Sequence, residues 1–85
     1  MTWTVRTTRE AERQLDALDS PTRQRVANAL ARLAANPHGA GNVKALRGSD
    51  SYRLRVGDWR VIYTLCGDVL VVLVLRVAHH REVYR

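Results

Sequence analysis

Tyr52-Arg-Leu-Arg-Val-Gly-Asp-Trp-Arg-Val-Ile-Tyr63 is the stretch from which the fold can be read. Two runs of alternating apolar and basic residues flank Gly57-Asp58, the pattern of a β-hairpin closed by a tight turn. Counting outward from that turn sets Val56 opposite Trp59, Arg55 opposite Arg60, Leu54 opposite Val61, Arg53 opposite Ile62 and Tyr52 opposite Tyr63. Successive side chains on a strand point to opposite faces. Tyr52, Leu54, Val56, Trp59, Val61 and Tyr63 therefore form an apolar face that another part of the chain must cover, and Arg53, Arg55 and Arg60 share the other face. Like charges directly opposed in an antiparallel pair work against folding by about 0.2–1 kcal/mol. Stability alone does not place Arg55 against Arg60; an anionic partner, most simply a phosphate backbone, accounts for it.

Downstream, Gly67-Asp68 repeats the turn chemistry and leads into Val69 to Val77, whose apolar run Val69 to Leu75 reads as a buried central strand. Pairing back from this second turn sets Leu65 against Leu70, Tyr63 against Val72 and Val61 against Val74, with Leu75 beside Arg60. The same count puts Val77 and His79 on the arginine face, His80 on the reverse, and Arg76 on the core face near Trp59, its stem packed and its head reaching the edge.

Upstream, Thr2 to Arg6 alternates and reads as a short first strand. Thr7 with Glu10 has the form of a capping box that starts a helix. Ala11, Leu15 and Leu18 recur along its apolar side, with Arg9, Glu12, Arg13 and Asp16 on the solvated side. Ser20-Pro21 is a second start signal, so the first helix stops near Leu18. The stripe Val26, Ala27, Leu30, Leu33 and Ala34 then runs to Ala35, where Asn36-Pro37 and Gly39 end it. Two helices joined so closely form an αα-hairpin, and its apolar side is the cover that the β-hairpin lacks. Pro37 to Asp50 is a loop, with a short strand or turn around Val43 to Leu46. Its Lys44 and Arg47 either extend a phosphate-binding surface or are solvated.

The chain of 85 residues, read as a single domain over 1–85, carries a net charge of +6 and a sequence pI near 10.7, which favours an anionic partner. The excess follows the hairpin half: Lys44 to Arg85 holds eight basic and four acidic residues, whereas Met1 to Val43 holds six and four. One cysteine, Cys66, excludes an internal disulfide and fits a reducing, cytoplasmic compartment. No signal peptide is visible, and Val69 to Leu75 is too short to span a bilayer as a helix. His79-His80 does not make a metal site, because neighbours on a strand face opposite ways and no further ligands cluster with them; no metal or cofactor is expected.

The order strand, two helices, loop, three strands, together with Lys44-Ala-Leu-Arg-Gly48, Tyr52-Arg-Leu-Arg55, Trp59-Arg-Val-Ile-Tyr63 and Val77-Ala-His-His-Arg-Glu-Val-Tyr84, resembles the RelE/ParE superfamily of bacterial toxins across essentially the whole chain. The resemblance implies an α+β fold with the αα-hairpin on one face of a mainly antiparallel four-stranded sheet, the basic face left open. RelE-like members cleave messenger RNA in the ribosomal A site, and ParE-like members poison DNA gyrase; basic residues at Arg53, Arg55 and Arg60 and the closing Tyr84 match the RelE-like branch better. On that branch the resemblance implies that Arg60 contacts the scissile phosphate, that Arg81 or a neighbouring histidine assists it, and that Tyr84 lies against the reacting nucleotide. Lys44, Arg47, Arg53 and Arg55 would hold further phosphates. The implied partners are the ribosome, mRNA and a cognate antitoxin in a hetero-oligomer, with no membrane. A gyrase inhibitor, or an inactive RNA- or antitoxin-binding domain on the same fold, are the alternatives. Relatives often carry lysine where this chain has Arg53 and Arg55, and arginine does not release its proton. Proton transfer therefore falls to His79 or His80, with Tyr84 as alternative acid or stacking platform.

Overall fold

The structure is a computed structural model that describes residues 2–39 and 41–80; Arg81 and Tyr84 lie outside them. In chain order the elements are β1 (Thr4–Thr7), α1 (Arg9–Asp16), α2 (Ser20–Ala35), β2 (Val43–Ala45), β3 (Ser51–Val56), β4 (Trp59–Cys66), a 3-10 turn (Gly67–Val69) and β5 (Val71–His79). The strands form one sheet in the order β1-β5-β4-β3-β2, antiparallel except for the parallel pair β1 and β5. The sheet has five strands rather than four, because Val43–Ala45 pairs along β3 as a true edge strand.

Local chemistry places the two helix N-caps one residue away from the expected ones. Thr8, not Thr7, caps α1: its Oγ1 accepts from the Ala11 N–H at 3.1 Å. Asp19, not Ser20, caps α2, accepting from the Thr22 N–H at 3.3 Å. A helix leaves its last carbonyls unpaired within itself; that of Leu15 accepts from the Leu18 N–H at 3.1 Å. Arg23 on α2 adds further donors, its Nε to the Leu15 carbonyl and Nη2 to those of Asp16 and of Leu18 just past the helix. A cation at a helix C-terminus is also favoured by the helix dipole.

Ala11, Leu18, Val26, Leu30 and Leu33 meet Leu54, Val61, Tyr63, Val72, Val74 and Val77 in one core between the helices and the sheet. Ala27 departs from the expected stripe: it is exposed, and Ala29 packs on the core instead. No helix among the described residues is long and apolar enough to cross a membrane.

The β3–β4 hairpin has every pairing that its alternation dictates, with Gly57 at φ 59° in the turn. The β4–β5 pairing does not. Instead of a two-residue turn the chain makes a 3-10 turn and passes through Leu70 in the left-handed region at φ 52°, so that Cys66 meets Val71 and Tyr63 meets Val74. That slip of two residues preserves which face each side chain occupies. A bulge then adds one more residue: Tyr63 faces Val74 but Ile62 faces Arg76, leaving Leu75 without an opposite number. The single extra residue exchanges the two faces for the rest of β5. Val77 turns into the core opposite Val61, Arg76 emerges on the open face, Ala78 lies opposite Arg60, and His79 lies opposite Trp59.

Tyr63 tests how closely the core is packed. It is fully buried and stacks on Tyr52 with ring centroids 5.5 Å apart, yet its hydroxyl meets no hydrogen-bond partner. Burial pushes its pKa up to about 12. Removing an unsatisfied buried hydroxyl while keeping the ring is near-neutral or stabilising. Tyr63→Phe is therefore expected to keep or raise the urea midpoint at neutral pH. The unfolded state, with the ordinary phenol value near 10.0, loses its proton first as pH rises. Stability should thus fall between pH 10 and about 12 in the parent and lack that component in the variant. A marked loss of midpoint in Tyr63→Phe at neutral pH would show that the hydroxyl is bonded.

Candidate nucleic-acid interface

Alternation along β2, β3 and β4, with the bulge in β5, assembles the basic face in two cross-strand rows. One runs Lys44, Arg53, Ile62, Arg76, and the next runs Arg55, Arg60, Ala78. Lys44, Arg55 and Arg76 are exposed, and Arg53 is half-buried. Arg47 follows β2 and lines a shallow concavity with Lys44, Leu46 and Arg53. Of the expected basic residues, Arg53 and Arg55 lie close enough to Arg60 to act on its charge, and Lys44 and Arg47 gather with Arg53 toward the β2 edge. Arg76, expected on the core face, joins them.

Arg60 differs from its neighbours in being only 7% exposed. Its Nη1 donates to the carbonyls of Gly57 and Trp59 at 3.2 Å each, which fixes the guanidinium against the hairpin turn. Nη2 lies 3.2 Å from His80 Nδ1, and Nε is buried with no hydrogen-bond partner. Burial lowers the Arg60 pKa from its ordinary value, and the charges of Arg53 and Arg55 lower it further, against a smaller opposing effect of Asp58. A guanidinium held in this way has lost hydration that a phosphate oxygen could replace.

The two histidines exchange the places expected of them. His79 sits edge-on to the Trp59 ring, centroids 5.4 Å apart, on the helix-covered side, whereas His80 reaches Arg60. The cause is the bulge at Leu75, which reverses the faces ahead of them. The His80 N–H donates to the Asp58 carbonyl at 2.7 Å, tying the end of β5 to the β3–β4 turn. An arginine nitrogen can only donate, so a hydrogen bond at this contact requires His80 Nδ1 as the acceptor, which is the tautomer with its proton on Nε2. Among the described residues no group of three His, Cys, Asp or Glu side chains comes together that could hold a metal.

Around the sheet edge, α2 and β3 diverge over a groove of about 570 Å³. Its floor is Ala29, Leu33, Leu54 and Val56, and Arg25, Arg32 and Arg55 border it with no acidic residue in the lining.

Residues 5–84 match the family model described as ParE toxin of type II toxin–antitoxin system, parDE. The chain belongs to this toxin family. Its members' architecture recurs in solved relatives. The toxin–antitoxin complex RelBE2 from Mycobacterium tuberculosis matches at 29% identity and a TM-score of 0.82, over 93% of this chain and 99% of that one. The archaeal RelE–RelB complex from Pyrococcus horikoshii matches at 27% identity and a TM-score of 0.82, over 94% and 97%. The free E. coli RelE toxin, as a double arginine-to-alanine variant, matches at 27% identity and a TM-score of 0.80, over 99% and 92%. No curated protein matches the chain in a sequence search. The chain is thus a type II toxin on the RelE/ParE fold, as its four motifs suggested.

Two residues that bear on the site carry no sequence motif. Gln14 on α1 accepts the Val77 N–H through Oε1 at 2.6 Å, and Thr8 Oγ1 donates to the Leu75 carbonyl at 2.9 Å. The one sequence signal of the bulge they support was Arg76, a charge at the parity of the core residues Val72 and Val74.

Proposed function

We propose that this toxin cleaves mRNA on the ribosome, with Arg60 as the group that receives the scissile phosphate. The observation that carries this reading is the fixed, nearly buried Arg60 guanidinium, with an unpartnered Nε, beside Arg53 and Arg55 at the turn end of the basic face. A ribose 2′-oxygen attacks the adjacent phosphorus, the P–O5′ bond breaks, and a 2′,3′-cyclic phosphate and a 5′-hydroxyl result. Charge that builds on the phosphoryl oxygens is stabilised by Arg60, with Arg53 and Arg55 holding the flanking backbone. While Arg60 donates to His80 Nδ1, that nitrogen is occupied. Arg60 turning to phosphate frees the Nδ1 lone pair to take the 2′-OH proton, and the leaving O5′ is protonated by water or by Tyr84. An open face without a lid relies on the ribosome to hold the RNA in reactive geometry. Arg81 assists at the phosphate in this reading. The antitoxin complexes of the RelE relatives favour a hetero-oligomer with a cognate antitoxin, and the basic-rimmed apolar groove suits an acidic amphipathic segment.

Gyrase inhibition is the second reading, favoured by the ParE description of the matching family. Primer extension on a translating reporter, run beside a supercoiling assay, separates the two. Ribosome-dependent cuts within codons are the expected result. Intact message with blocked supercoiling would replace the first reading by the second.

A further inference from the structure

β1 pairs with β5 only as far as Thr7 and Val74, so from Leu75 onward the outer edge of β5 faces α1 rather than another strand. This is also where the bulge lies. A bulge disrupts the ladder and turns backbone groups away from it, and buried groups of that kind need other partners. Two side chains of the α1 region supply them. Thr8 Oγ1 donates to the Leu75 carbonyl while accepting from Ala11, and Gln14 Oε1 accepts from Val77 N–H at 2.6 Å, the shortest of these contacts. The extra residue Leu75 and Val77, two positions on, are thereby held from the α1 side of β5.

Without the extra residue, His79 would lie over the arginine face and His80 beside Trp59. We propose that Gln14 is a positioning residue: by holding the Leu75 bulge it sets the register that brings His80, and not His79, to Arg60. The consequence for activity rests on the RNA-cleavage reading above, whereas the positional claim does not. Gln14→Leu keeps the volume and removes the acceptor; Gln14→Glu keeps an acceptor.

The test has two arms. In the free protein, the imidazole ¹⁵N shifts of His80 should report proton on Nε2 and an accepting Nδ1 in the parent, and this signature should be lost in Gln14→Leu and kept in Gln14→Glu. On programmed ribosomes, kcat for Gln14→Leu should fall about 10- to 100-fold, as expected for small misplacement of a reacting group, with KM within about twofold and Gln14→Glu near the parent. Gln14→Asn, one methylene short, should show the same changes at smaller size if Gln14→Leu does not fold. An unchanged His80 spectrum in folded Gln14→Leu overturns the proposal, as does equal loss in Gln14→Glu. Failure of Gln14→Leu and Gln14→Asn to fold also overturns it, since Gln14 would then be needed for the fold at large. Absence of cleavage by the parent protein would remove the RNA-cleavage reading and leave the spectral arm to decide the position of His80.

Discussion

Arg60→Ala is expected to slow ribosome-dependent cleavage by about 10²- to 10³-fold, the loss typical of deleting one preorganised donor to a developing oxyanion. The protein should remain folded, for reasons in the surroundings of the residue. Arg60 is buried opposite Arg55 and near Arg53, and both the burial and these charges oppose its own charge. Removing it relieves that repulsion. The carbonyls of Gly57 and Trp59 lose one shared donor, but they lie at an exposed hairpin turn where water can replace it. Arg60→Lys should recover only part of the rate, because a point charge cannot bond two carbonyls, His80 and a phosphate from one plane. Circular dichroism and single-turnover cleavage on programmed ribosomes check the pair. A folded Arg60→Ala protein with the parent's rate would take Arg60 out of the site.

Leu33→Ala should be the most damaging of the simple core truncations. Leu33 is 0% exposed, in the last turns of α2, where the helix stands over β3 beside the groove. Large-to-small changes at such positions cost about 2–5 kcal/mol. A domain of this length has about 5–15 kcal/mol in total, and small ones sit low in that range. At roughly 4–8 °C of Tm per kcal/mol for this size, the melting midpoint should drop by at least about 8 °C. Ala27→Ser, on the exposed side of the same helix, is the control and should change stability by less than about 0.5 kcal/mol. Equal melting of Leu33→Ala and the parent would mean that α2 is not seated on the sheet.

The contrast between Leu33 and Ala27 shows where the sequence was legible. Elements with a strong period and local punctuation were readable: the Gly57-Asp58 hairpin fixed five pairings, and Pro21 and Asn36-Pro37 bounded α2. The branched and leucine residues of the helical stripe reached the core, but alanine carries too little apolar weight to say which of Ala27 and Ala29 faces inward. The last strand was hard for a different reason. Val69 to Leu75 is apolar on both sides, so alternation gives no register there, and a two-residue turn at Gly67-Asp68 supplies the wrong one. The left-handed Leu70 and the extra Leu75 both depend on tertiary contacts, and no residue preference announces them. Arg76 could have done so. A charge at core parity fits a snorkelling side chain, but a change of parity explains it with less desolvation. That single residue decides which histidine meets Arg60.

The placement of β5 between β1 and β4 also governs how the molecule comes into being. A chain emerges from synthesis N-terminus first, and β5 is the last of the described strands to appear. Until then β1 has no strand beside it, β4 has one open edge, and the valines that will fill the centre are absent. Thr4 must wait for Val71, a partner 67 positions later, and contacts so distant in sequence make closure slow. The half-made sheet therefore exposes two edges of the kind that recruit other chains. When the last strand slides in, it seals both edges, completes the core and delivers His80 to the arginine cluster together. Maturation of the basic face and closure of the fold are one event, so variants that slow the entry of β5 should accumulate as aggregates rather than as folded protein lacking the His80–Arg60 contact.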